Sequence, residues 1–92
     1  MNALIKEPKK PATLKTLSDD QAVRLREMQT IVGGYIELVR LSPKLAAIVN
    51  ENGRMLGLPK NAFGLVGTIV FCGIGEDEFT DVPEDDLLLE VI

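Results

Sequence analysis

Two groups of side chains carry what chemistry this chain offers. The first is Asn50, Glu51, Arg54, Lys60 and Asn61, polar residues set close together between 50 and 61. A guanidinium or ammonium here would hold a phosphate and the two carboxamides would fix its orientation, which describes a small anion or nucleotide site. The same residues are also turn formers: Asn50 and Asn52-Gly53 shape a hairpin, and Asn61 satisfies backbone after Pro59. The Gly-x-x-x-x-Gly-Lys-Ser/Thr spacing of a phosphate loop is missing, so residue type alone supports a nucleotide. Glu37 and Glu51 are the one carboxylate pair available for acid–base work, and Glu37, within a strand, reads better as an exposed or hydrogen-bonded residue. The second group is acidic: Glu76, Asp77, Glu78, Asp81, Glu84, Asp85 and Asp86. Such a field steers a protein onto a basic partner, including one that normally grips nucleic acid, or it serves only solubility.

Charge distribution sharpens the second group. Residues 76–92 hold eight acids and no base, a charge of −8, whereas residues 1–75 hold ten bases and six acids, a charge of +4. The total of −4 on 92 residues argues against a direct nucleic-acid binder, whose affinity rests on Lys and Arg. There is no His and no Trp, and the single Cys is Cys72. His-based triads, Cys/His zinc sites, CxxC redox pairs and intrachain disulfides are therefore excluded, and neither a metal nor a cofactor is expected. Cys72 sits among apolar residues and reads as a small core hydrophobe. No apolar run has the length of a signal peptide or a membrane span, which points to a cytoplasmic protein with no membrane partner.

The elements that must position these groups follow from patterning. Residues 1–92 make one domain, with 76–92 as its acidic segment. Ala3–Lys6 and Ala12–Leu17 read as strands around Pro8-Lys9-Lys10-Pro11, with Leu14 half-buried. Ser18 and Gln21 form a capping box for a helix over about 18–33, with Asp19 and Asp20 in its first turn. Ala22, Leu25, Met28 and Val32 make its apolar face, Arg24 lies away from it, and Gly33-Gly34 ends it. Tyr35–Leu41 and Leu45–Val49 are strands joined at Ser42-Pro43-Lys44. Asn52-Gly53 predicts a type I′ hairpin that pairs Arg54-Met55-Leu56 back on Ala47-Ile48-Val49. Leu65–Cys72 is the most β-like segment. Phe79 anchors the chain, and Asp81 with Glu84 caps a short C-terminal helix whose Leu87, Leu88, Leu89, Val91 and Ile92 pack on the domain's own core or on a second copy. The sum is an α+β fold: a small, twisted, mostly antiparallel sheet of five or six short strands, the main helix on one face.

Four blocks, in this order and spacing, resemble a known family: Gly33-Gly34-Tyr35-Ile36-Glu37, Asn50-Glu51-Asn52-Gly53-Arg54, Gly57-Leu58-Pro59-Lys60-Asn61 and Val66-Gly67-Thr68-Ile69-Val70-Phe71. They are similar to domain of unknown function family 3846, small proteins of bacteria and frequently of their phages and plasmids. The likeness spans roughly residues 18–74. Relatives often carry a longer insert where this chain has Ala62-Phe63-Gly64-Leu65, and the acidic tail exceeds what the resemblance requires. The resemblance implies a fold and a mobile-element setting, and no reaction. The expectation is a non-enzymatic accessory protein, monomer or homodimer, that binds a host protein with a basic surface, in one form a defence-system inhibitor using its acidic tail. A nucleotide-type ligand held by the 50–61 hairpin loop is the alternative.

Overall fold

A computed structural model describes residues 1–92. The chain runs β1 (Asn2–Lys6), β2 (Thr13–Thr16), α1 (Gln21–Val32), β3 (Ile36–Arg40), β4 (Leu45–Asn50), β5 (Ile69–Ile74) and β6 (Phe79–Thr80), with short 3₁₀ turns at Ala62–Gly64 and Asp86–Glu90. The sheet order is β2-β1-β5-β4-β3, every pairing is antiparallel, and β6 extends β5 beyond its β1 contact. This is the α+β architecture that the patterning implies. Its centre is β4 and β5, whose Leu45–Asn50 is buried throughout. Both are near-continuous apolar runs because both faces of the sheet are covered. On one face α1 packs Met28 and Val32 against Ala46, Ile48, Val70 and Cys72. On the other, Leu88 from the last 3₁₀ turn and Val91 just after it join Leu45, Ala47, Val49, Ile69 and Phe71. Leu89 and Ile92 point to solvent, so the C-terminal stripe divides between core and surface.

The Asn52-Gly53 hairpin does not form. A type I′ turn needs positive φ at both central residues, and neither Asn52 nor Gly53 has it. Instead Asn50 Oδ1 accepts from the Asn52 N–H, and bonds from Leu56 N–H to the Asn52 carbonyl and Leu58 N–H to the Gly53 carbonyl coil residues 51–57 into successive turns. The strand β4 pairs with β3 and β5, leaving no edge for Arg54–Leu56. Residues 65–68 lie outside β5, which starts at Ile69. There Phe63, held at φ 58°, sets its ring edge-on to Phe71 at 6.0 Å.

Three local readings also change. Asp20, not Ser18, caps α1 by accepting from the Val23 N–H, while Ser18 accepts from the Asp20 N–H and donates its own N–H to Glu27. Asp85, not Asp81 with Glu84, caps the last 3₁₀ turn through the Leu87 N–H. Leu14 is 66% exposed because β2 is an outer strand with both faces open. At the other end of α1 the double glycine has two separate jobs. Gly33 adopts the left-handed C-cap at φ 81°, and a Cβ on Gly34 would lie 2.8 Å from Asn50 Nδ2.

Candidate binding surface

Residues 50–61 are tied into the fold by their own polar groups. Asn50 is buried, donates to the Val32 carbonyl at 3.2 Å and accepts from Asn52. It thereby joins the end of α1 to the end of β4. Asn61 donates to the Lys6 and Gly67 carbonyls at 2.9 and 2.8 Å and accepts from the Ala62 N–H. Both Asn61 amide donors are spent. Arg54 gives one guanidinium N–H to the Gly64 carbonyl at 3.1 Å in an exposed position. A hollow of about 280 Å³ brings Asn50, Glu51 and Arg54 together with Glu37, but Lys60 and Asn61 lie off it. Lys60 bridges through its backbone to Val66.

The acidic segment is arranged differently. Glu76, Asp77 and Glu78 form the turn between β5 and β6 and are exposed. Asp81 accepts from the Asn2 N–H at 2.8 Å, and Asp85 from the Ser42 hydroxyl at 2.8 Å and the Leu87 N–H at 3.0 Å. The Leu87 N–H first, then the Ser42 hydroxyl, holds the Asp85 carboxyl below its ordinary range. Glu84, Asp86 and Glu90 are exposed. None of the carboxylates of 76–92 forms an ion pair. The two pairs in the molecule are the Met1 ammonium with Asp19 at 2.9 Å and Lys10 with Glu7 at 3.6 Å. The ammonium holds the Asp19 carboxyl low in the same way.

Beside Glu76–Glu78 lies a hollow of about 500 Å³. Its apolar floor and walls are Leu25 and Met28 from α1, Ile36 and Leu38 from β3, and Ile74 with Phe79. Gln21, Arg24, Arg40 and the acidic turn complete the rim. The helix reading misses this hollow because it rotates the apolar face. Arg24 is buried and donates to the Ser18 and Asp19 carbonyls, at 3.2 and 3.4 Å. Leu25, placed in the core by spacing, stays 41% exposed over Leu38, itself 44% exposed. A guanidinium at 24 satisfies carbonyls ahead of the helix, which periodicity does not register.

The family model described as Domain of unknown function (DUF3846) matches residues 1–91. The chain belongs to that family. The match extends the resemblance of residues 18–74 to essentially the whole chain. No curated protein and no solved structure matches it. The four blocks that carry the resemblance fall on joints of the fold: Gly33-Gly34 against Asn50, Gly53 beneath Val66, and Asn61 between Lys6 and Gly67. No helix is long and apolar enough to cross a membrane.

Proposed function

We propose that the protein is a non-enzymatic binding module whose acidic segment receives a basic surface of a host protein. The observation that carries this reading is that none of the carboxylates of residues 76–92 has a cationic partner within the molecule, while Glu76, Asp77 and Glu78 stand on the rim of an apolar hollow. Unpaired charge beside apolar surface suits a partner that brings both cations and apolar side chains. Asp81 and Asp85 already serve the fold, so Glu76, Asp77, Glu78, Glu84 and Asp86 are the recognition residues. The mobile-element setting rests on the resemblance to phage and plasmid proteins, and the anti-defence form on the acidic tail as a stand-in for nucleic-acid charge. The nucleotide reading of 50–61 has less behind it, because Asn50 and Asn61 bond to backbone and Lys60 lies apart.

The test compares the wild-type chain with a variant carrying Glu76→Gln, Asp77→Asn, Glu78→Gln, Glu84→Gln and Asp86→Asn in pull-downs from host lysate at two ionic strengths. A partner captured by wild type, lost from the variant and weakened by salt is the expected result. A partner retained equally by both proteins at both salts overturns the reading.

A further inference from the structure

The two edges of the sheet are not equally open. Just before β2 the N–H of Ala12 is taken by the Val91 carbonyl, so the last turn closes one end of that edge. Nothing covers β3. Its inward groups are fixed by the Glu51 N–H to the Tyr35 carbonyl and the Leu41 N–H to the Leu45 carbonyl, bonds at the two ends of the β3–β4 register. Hydrogen-bonded pairs alternate along an antiparallel ladder, so Tyr35, Glu37, Val39 and Leu41 face β4. The N–H and C=O of Ile36, Leu38 and Arg40 therefore point outward, unpaired. A free edge of this kind is a template for another strand.

We infer that the occupant of this edge is a second copy of the chain, paired antiparallel through β3 about a two-fold axis at Leu38. The register follows from charge and hydrogen bonding. Centring on Glu37 or on Arg40 sets that charge opposite its own copy, which is repulsive. Centring on Val39 leaves Ile36 opposite Ser42, whose N–H and C=O already bond to Leu45. Centring on Leu38 uses every outward group: Ile36 pairs with the second copy's Arg40, Leu38 with Leu38, and Arg40 with Ile36. Between them Glu37 faces Val39 and Tyr35 faces Leu41, and no like charges meet. The same axis covers the exposed Leu38 with its symmetry mate. Arg40 of each copy arrives beside Ile36 of the other, just past the C-terminal end of α1, whose negative pole favours a cation. An isologous contact of this type closes on itself and stops at the dimer. Ile36, Leu38 and Arg40 also line the hollow beside Glu76–Glu78, so a dimer covers part of the surface offered to the proposed partner, and sedimentation of the purified chain tests the dimer by itself.

Four proteins test it: wild type, Leu38→Lys, Leu38→Cys and, as control, Met55→Cys, because Met55 is 87% exposed and lies off the paired strands. Sedimentation of wild type should show concentration-dependent growth from 10.1 kDa to twice that mass. Leu38→Lys should remain at the monomer mass with an unchanged far-UV spectrum. Hydrogen-bonded antiparallel partners have Cα atoms about 5.5 Å apart, within disulfide range. Mild oxidation should therefore link Leu38→Cys into a dimer at least about tenfold faster than Met55→Cys. The native Cys72 is buried and adds no background. A wild type that stays monomeric up to about 1 mM overturns the inference. So does a dimer that survives Leu38→Lys while Leu38→Cys links no faster than the control. Should Leu38→Lys fail to fold, the linking rate decides.

Discussion

Residues 50–67 and residues 76–92 are both polar connections around the same sheet, yet they use their side chains in opposite ways. In the first, Asn50 and Asn61 turn inward and give their hydrogen bonds to the backbone of α1, β1 and neighbouring turns. In the second, the carboxylates face out, and only Asp81 and Asp85 are used at home. The blocks that carry the resemblance lie at Gly33–Glu37, in the inward-turned set and in the approach to β5 and β5 itself. Residues of these blocks supply joints between elements. The unpaired carboxylates lie outside those blocks, in residues 76–92.

This contrast is broken most directly at Asn50. Asn50→Ala leaves the Val32 carbonyl buried without its side-chain donor and should cost about 1–3 kcal/mol of unfolding free energy, read by denaturant titration at unchanged m. Gly34→Ala acts on the same joint by driving a methyl into Asn50, and the two losses should not add. Loss of the three Asn61 bonds in Asn61→Ala should cost about 1–2 kcal/mol, less because the site is only part-buried. A smaller effect belongs to acid. Asp85 and Asp19 have folded-state pKa values below their unfolded ones, so their stabilisation is present above the ordinary carboxylate range. It is lost as pH falls through the lowered values, and Asp85→Asn should flatten the acid limb of a stability–pH curve below about pH 4. Smallest of all, neutralising Glu76, Asp77, Glu78, Glu84 and Asp86 together should leave denaturation midpoints nearly unmoved. Loss of stability comparable with Asn50→Ala would mean that the outward set is structural after all.

Patterning was a good guide where one interaction dominates. β4 and β5 are legible because an apolar run of β-branched residues has few other options, and Gly33 is legible because the left-handed cap has few other occupants. Asn52-Gly53 misled because the pair favours a I′ turn only when strands flank it, and β4 had better partners on both sides. Arg24 and Leu25 misled by one position, since the buried guanidinium rotates the helix by a residue and opens the hollow beneath Leu25. The free edge of β3 was invisible for a different reason: which strand is outermost is decided by the whole sheet order. The acidic segment was fully legible as charge, but only coordinates separate Asp81 and Asp85 from their neighbours.

Cys72 gives the molecule a built-in clock. It is the sole thiol, sits at the middle of the central strand with no exposure, and burial pushes its pKa up to about 11. Alkylation must wait for β5 to leave β4 or α1 to lift away. The labelling rate of the unmodified protein at neutral pH thus times the opening of its core, and a bound partner or second copy would register as a slower tick.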